Sequence, residues 1–122
     1  MPRVLIADDD PVMRMLLSAV VNGDAELELV GQAEDADPAS SLAASLQPDV
    51  ALWAVEMPGG GGLRAARAIK EDVPSVRVLA LSAHDTEEAR EAMLEAGADG
   101  YVVKGAPPGE IAAALRGGGA TA

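Results

Sequence analysis

The sequence predicts an α/β fold built on a parallel sheet, and two observations lead there. Five short apolar runs, Val4–Ala7, Leu27–Gly31, Val50–Val55, Val76–Leu81 and Tyr101–Val103, begin at intervals of 23 to 26 residues. No sequence repeat underlies that interval, which is the length of a strand plus a helix that returns to the starting edge. Between the runs lie segments carrying helix start and stop signals. Strands alternating with helices in this way imply right-handed β-α-β units.

Each element has its own signal. The first, third and fourth runs are nearly all apolar, as in strands covered on both faces. Leu27-Glu28-Leu29 alternates, which suits an edge strand. Asp10-Pro11 reads as an N-cap followed by Pro at the first helical position, with Gly23 as the stop. Asp37-Pro38 repeats the device ahead of a helix over Ala39–Leu46, which Pro48 ends. Gly62–Glu71 places Leu63, Ala66 and Ile69 on one side of a third helix. Asp85 and Glu88 have capping-box spacing, and Ala89, Ala92, Met93 and Ala96 follow at helical period before Gly97. Pro107–Arg116 forms the last helix. Strand alternation points Trp53 and Ala54 to opposite faces, so Trp53 is expected as a core anchor.

Size and composition narrow the function. A chain of 122 residues suits one domain, expected over residues 1–116, with 117–122 as a flexible linker or tail. The 20 acidic against 9 basic side chains give a formal charge of −11. That balance makes the domain a poor ligand for nucleic acid or an anionic membrane. The absence of cysteine excludes a disulfide scaffold, a thiol enzyme and a thiolate zinc site. A single histidine, His84, cannot supply a two-histidine metal site. No apolar run approaches the roughly 18 residues of a membrane span. Acids follow the first apolar run directly, which is not the pattern of a signal peptide. A cytoplasmic domain is the expectation.

In parallel α/β sheets, function gathers at the carboxyl ends of the strands. Asp8, Asp9 and Asp10 follow the first strand. Ala54 and Glu56 lie at the end of the third, Ser82 at the end of the fourth, and Lys104 after the fifth. Carboxylates hold Mg²⁺, while a hydroxyl and an ammonium hold phosphoryl oxygens. Each residue alone has a plain structural explanation: a helix cap for Asp10, a turn for Ser82, a solvated surface for Lys104. Their co-occurrence at the ends of different strands of one sheet is what points to an oxyanion site beside a divalent cation.

These residues carry a resemblance. Across roughly residues 3–116, the stretches VLIADDDPVMR, PDVALWAVEMPGGGGLRAAR, VLALSAHD and GADGYVVKGAPPGEI resemble the receiver domain of two-component response regulators. The KGAPPGEI ending is similar to receivers that precede a helix-turn-helix output domain. The resemblance implies a doubly wound (βα)5 fold, flavodoxin-like, with strand order 2-1-3-4-5 and two helices on one face against three on the other. It implies that Asp8 and Asp9 are the acidic pair, with Asp9 a direct Mg²⁺ ligand and the backbone carbonyl of Glu56 another. Ser82 matches the hydroxyl that follows the phosphoryl group, Lys104 the phosphate-pairing lysine, and Tyr101 the aromatic switch. Met57-Pro58-Gly59 matches the loop after the third strand. The implied partners are a sensor histidine kinase or another signalling protein, and an output domain C-terminal to these residues. The implied output surface, and the place for a homodimer, is residues 85–116.

One position departs from the family pattern. The phosphoacceptor aspartate falls on Ala54, whose methyl group has neither a nucleophilic nor a metal-ligating oxygen. Mg²⁺ binding is therefore expected to be weakened, and the domain is expected to act by protein interaction in phosphorelay signalling, not as an enzyme. Two origins remain open: a natural phosphorylation-independent pseudo-receiver, or an Asp-to-Ala form of an active receiver. A small Mg²⁺-dependent phosphoryl-transfer enzyme using Asp8 or Asp9 is the alternative from another class. Gly60-Gly61-Gly62-Leu63-Arg64-Ala65 satisfies a dinucleotide-binding pattern, but it sits in the third turn and consecutive glycines generate such matches trivially. His84-Asp85 reads as a surface loop pair. Arg64, Arg67 and Arg90 read as solvated faces.

Overall fold

The computed structural model describes residues 2–55, 62–83 and 86–117. Five strands and five helices alternate: β1 Arg3–Ala7, α1 Pro11–Asn22, β2 Glu28–Ala33, α2 Ala36–Leu46, β3 Val50–Ala54, α3 Gly62–Asp72, β4 Arg77–Ser82, α4 Glu87–Glu95, β5 Gly100–Val103 and α5 Pro108–Arg116. All strand pairs are parallel, in the order β2-β1-β3-β4-β5. This is the expected doubly wound, flavodoxin-like order. α1 packs against α5 and α2 against α3. Arg67 of α3 donates to the Glu95 carbonyl at the end of α4, 3.4 Å away.

Burial explains why the inner strands are nearly all apolar. All five residues of β3 are buried, and so are Val4–Ala7 of β1 and Val78–Ser82 of β4. β2 is the edge strand and keeps Glu28 exposed. Its Gly31 is fitted to a tight contact: a Cβ there would stand 2.9 Å from Leu46 Cδ1 and 3.2 Å from Leu5 Cδ1. The β1–β2 register shifts between Val4 and Leu5, beside that glycine.

One row across the sheet accounts for the two large aromatics. Ala33, Ala7, Trp53, Ala80 and Tyr101 are successive cross-strand partners. Residues so paired in parallel strands share a face, so Trp53 and Tyr101 are separated by one small residue. Both are 1% exposed. Trp53 is thus the core anchor that strand alternation suggests.

The helix caps correct the sequence reading at two places. Asp10 does cap α1, accepting from the N–H groups of Val12 at 2.9 Å and Met13 at 3.4 Å. Gly23 ends α1 as expected, with φ −81°, so it serves there without left-handed backbone. Asp37, however, is not the cap of α2. The helix starts at Ala36 after Asp35, and Pro38 falls inside the first turn, where its missing N–H would have had no intrahelical partner. α4 is capped by the Thr86 hydroxyl, which accepts from the Ala89 N–H at 3.2 Å. Asp85 lies outside the described residues. α5 begins at Pro108, one residue later than expected, and ends at Gly117 with φ 91°. No helix of the described residues is long and apolar enough to cross a membrane.

Candidate functional site

The strand ends bring four of the expected residues to one rim. β1 runs straight into Asp8, whose N–H donates to the Ala33 carbonyl at 3.0 Å and so extends the ladder by one residue. Ala54 closes β3 and pairs with Leu81 of β4. Ser82 closes β4 and pairs with Val103 of β5. The next residue, Lys104, donates its backbone N–H to the Ser82 carbonyl at 2.8 Å. The ladder itself therefore fixes the backbones of Asp8, Ala54, Ser82 and Lys104 along one edge.

Their burial is unequal. Asp8 is 0% exposed and Ser82 is 3% exposed, and these are the two buried polar residues among those described. Asp9 and Asp10 are exposed. Asp8 Oδ1 accepts the Asp10 backbone N–H at 2.9 Å, an Asx-type turn that holds the carboxylate inward. Asp8 Oδ2 receives no aligned hydrogen bond. What it meets is the Lys104 ammonium, 3.3 Å away. Burial pushes the Asp8 carboxyl above the usual carboxylate range; the Asp10 N–H and the Lys104 charge oppose that rise, and Asp9 adds to it.

Arg14 belongs to this site and sequence reasoning passed over it. Its guanidinium donates to the Asp8 carbonyl at 2.8 Å and lies 3.7 Å from the Glu34 carboxylate. The available signal was its place one turn after the Asp10 cap, since helical side chains lean toward the N-terminus.

Tyr101 does not reach the rim. Its ring is buried in a small cluster with Ala80, Met93 and Ala98. The Arg90 guanidinium lies over the ring, 4.6 Å from its centroid. Among the described residues the Tyr101 hydroxyl and the Trp53 indole N–H find no hydrogen-bond partner. Arg67 and Arg90 are each engaged on their own neighbours, at Glu95 and Tyr101, and the Arg64 side chain lies outside the described part. Glu56, the Met57-Pro58-Gly59 loop, the first glycines of the dinucleotide-like pattern, His84 and residues 118–122 also lie outside it.

A divalent cation finds an incomplete donor set among the described side chains. Asp8 Oδ2, which has no aligned hydrogen bond, is suited to a cation, and Asp9 could add a second carboxylate. Ala54 contributes no oxygen, and no group of three potential metal-ligating side chains is present among the described residues. The ammonium of Lys104 stands against one of the two buried Asp8 oxygens, Oδ2.

A parallel sheet of this order, with an acidic residue, a hydroxyl and a lysine at the ends of β1, β4 and β5, has the receiver architecture. The chain belongs to the response regulator receiver domain family, whose model matches residues 4–116. It is 36% identical over 116 residues to the response regulator GacA of Pseudomonas viridiflava, covering 95% of this chain and 54% of that protein. It is 35% identical over 116 residues to the DNA-binding transcriptional activator DevR/DosR of Mycobacterium tuberculosis, with the same coverage, 95% and 54%. The chain thus spans about half the length of the curated relatives it matches. Among solved structures it resembles a LuxR-family two-component response regulator from Aurantimonas sp. SI85-9A1, with TM-score 0.90, 28% identity and coverage of 100% and 89%. The isolated receiver domain of RcsB from Salmonella enterica serovar Typhimurium gives TM-score 0.86 at 26% identity, covering 99% and 93%.

Proposed function

We propose that this chain is the receiver module of a response regulator that does not accept a phosphoryl group at position 54, and that it signals through protein contacts. The observation that carries this reading is Ala54. It is fully buried at the end of β3, between the strand that ends in Asp8 and the strand that ends in Ser82. A phosphoacceptor there needs a carboxylate oxygen as nucleophile, and a methyl group offers none. Receiver domains bind Mg²⁺ at the phosphorylation site. In this chain Asp8, Asp9 and the Glu56 carbonyl are the proposed remnant of that site, with Ser82 and Lys104 as the remnant of the phosphoryl contacts.

The remaining assignments rest on family membership. Ser82 and Tyr101 are the proposed switch pair. Residues 1–116 are the proposed domain and 117–122 a linker. In a longer protein, a DNA-binding output domain would follow, as the name of the DevR/DosR relative suggests. A sensor histidine kinase or another signalling protein is the proposed partner. With the chemical bias removed, such a receiver stays in its intrinsic conformational equilibrium and responds to partner binding alone.

Incubation with acetyl phosphate and Mg²⁺, followed by intact-mass measurement, tests the reading. The unaltered chain is expected to keep its mass, and Ala54→Asp is expected to gain one phosphoryl group. A phosphoryl adduct on the unaltered chain overturns it.

A further inference from the structure

Phosphoryl chemistry aside, the rim poses a second problem. A receiver with an acidic pair at its strand ends concentrates negative charge, and a fully buried carboxylate without a counter-ion is costly. Asp8 is fully buried at this rim. One of its oxygens accepts a backbone N–H; the other has no aligned hydrogen bond. The group 3.3 Å from that oxygen is the ammonium of Lys104. Lys104 is the one cationic side chain paired with Asp8 among the described residues.

Lys104 is held for this contact from both ends. Its backbone is pinned to β4 through the Ser82 carbonyl at 2.8 Å. Lys104 lines the mostly apolar cleft between α1 and α5, together with Met13, Leu17, Ala106 and Ile111. An aliphatic stem packed along apolar residues presents its charged end in a set direction. Here that direction is into the rim, and the side chain is 23% exposed.

We infer that Lys104 is the resident cation of this site, standing where a divalent ion would otherwise neutralise Asp8 and keeping the rim closed without metal. The inference deepens the proposed loss of phosphoacceptance and rests on it, because the missing third carboxylate at position 54 is what leaves the lysine with one buried partner. Mg²⁺ demands near-octahedral oxygen ligation and sheds its waters reluctantly. Two carboxylates with an ammonium lodged on the buried one are a poor offer. The ammonium loses water too, but it does so as part of folding and needs no octahedral set of oxygen ligands.

The test compares thermal unfolding of the unaltered chain, Lys104→Met and Arg14→Met, each with and without millimolar Mg²⁺. The unaltered chain is expected to show no Mg²⁺-dependent rise in Tm. Lys104→Met is expected to lose about 5 °C without metal and to recover most of it when Mg²⁺ is added. Arg14→Met removes a nearby positive charge that touches the Asp8 carbonyl but not its carboxylate, and is expected to gain no such response. Three results each overturn the inference: Mg²⁺ stabilising the unaltered chain as much as Lys104→Met, Arg14→Met gaining the same response, or Lys104→Met showing no change in either condition. If Lys104→Met does not fold, NMR of the unaltered chain decides. Its Lys104 Cε signal is expected to stay in place through a Mg²⁺ titration, and a saturable shift overturns the inference. These readouts need no phosphoryl donor. Mg²⁺ stabilisation without an adduct sinks this inference alone, whereas a phosphoryl adduct sinks the function on which it rests.

Discussion

Two aspartate–lysine pairs stand at opposite ends of the sheet, and they are built differently. At the amino ends of β4 and β5, Asp99 Oδ2 accepts from the Val78 N–H at 2.8 Å and from Lys70 Nζ at 2.9 Å. Lys70 Nζ also donates to the Val76 carbonyl at 2.8 Å and to the Pro74 carbonyl at 3.3 Å. All three ammonium protons are used. At the carboxyl ends, Lys104 and Asp8 face each other at 3.3 Å, and the carboxylate oxygen between them has no aligned hydrogen bond. The first pair closes turns and ties α3 to the sheet. The second is buried deeper and satisfied less. The polar groups of the first pair are saturated by the fold, while the Asp8 oxygen at the carboxyl-end rim keeps unspent capacity.

The largest effect that would sharpen this comparison is at Asp99. Asp99→Ala removes the acceptor from a backbone N–H and from a charged partner together. A loss of about 3 kcal/mol is expected in urea unfolding. A loss below about 1 kcal/mol would mean that the amino-end pair is no more structural than an ordinary surface bridge.

Ala54→Asp should come next, with the site now disturbed instead of the scaffold. It sets another carboxylate at a fully buried position near Asp8. Without Mg²⁺ the variant is expected to be less stable by about 2 kcal/mol, and Mg²⁺ is expected to restore the loss. Comparing melting temperatures with and without the ion checks both halves.

Asp8→Asn carries the opposite sign. The native Asp8 carboxyl titrates above its unfolded value because burial disfavours the charge. The folded state therefore holds the proton more tightly than the unfolded chain. That group alone makes the protein less stable as pH rises through its raised native pKa. Asn keeps an acceptor for the Asp10 N–H and carries no charge. The variant is expected to be more stable by about 1 kcal/mol at neutral pH without Mg²⁺. The advantage should shrink as the pH is lowered through the native pKa toward the unfolded one. An advantage that stays constant with pH would show that the Asp8 charge is not what burdens the rim.

The smallest effect is expected at the far edge. Arg116 pairs with Asp24 and lies 3.4 Å from the Glu26 carboxylate, which is largely exposed. Arg116→Ala should cost at most about 1 kcal/mol, less in high salt. It gives the baseline against which both aspartate–lysine pairs are read.

Much of this was legible in the residues. The apolar runs gave all five strands to within a few residues, because a strand covered on both faces tolerates little polarity. Alternation separated Trp53 from Ala54 correctly. The caps were less legible. An Asp-Pro pair marks a helix start only when Pro is the first helical residue, as at Asp10-Pro11. At Asp37-Pro38 the helix begins earlier and Pro still fits, because the whole first turn lacks intrahelical N–H partners. The rim set Asp8, Ser82 and Lys104 was legible from strand ends alone. Arg14 was harder to see, since its contact is with a backbone carbonyl and its one signal is its place a turn after the Asp10 cap.

By itself, the sequence determined the order of elements, the sheet's parallel sense and which residues end each strand. Those depend on periodicity and on caps within a few turns, which are local. Only the tertiary structure decided which charges meet. Lys104 reaches Asp8 because parallel register sets the ends of β1 and β5 on one rim and because the α1–α5 cleft guides the lysine stem. Neither cause is written near either residue. An opposite charge that could equally have remained in water is chosen by geometry, and that geometry exists only once the sheet has formed.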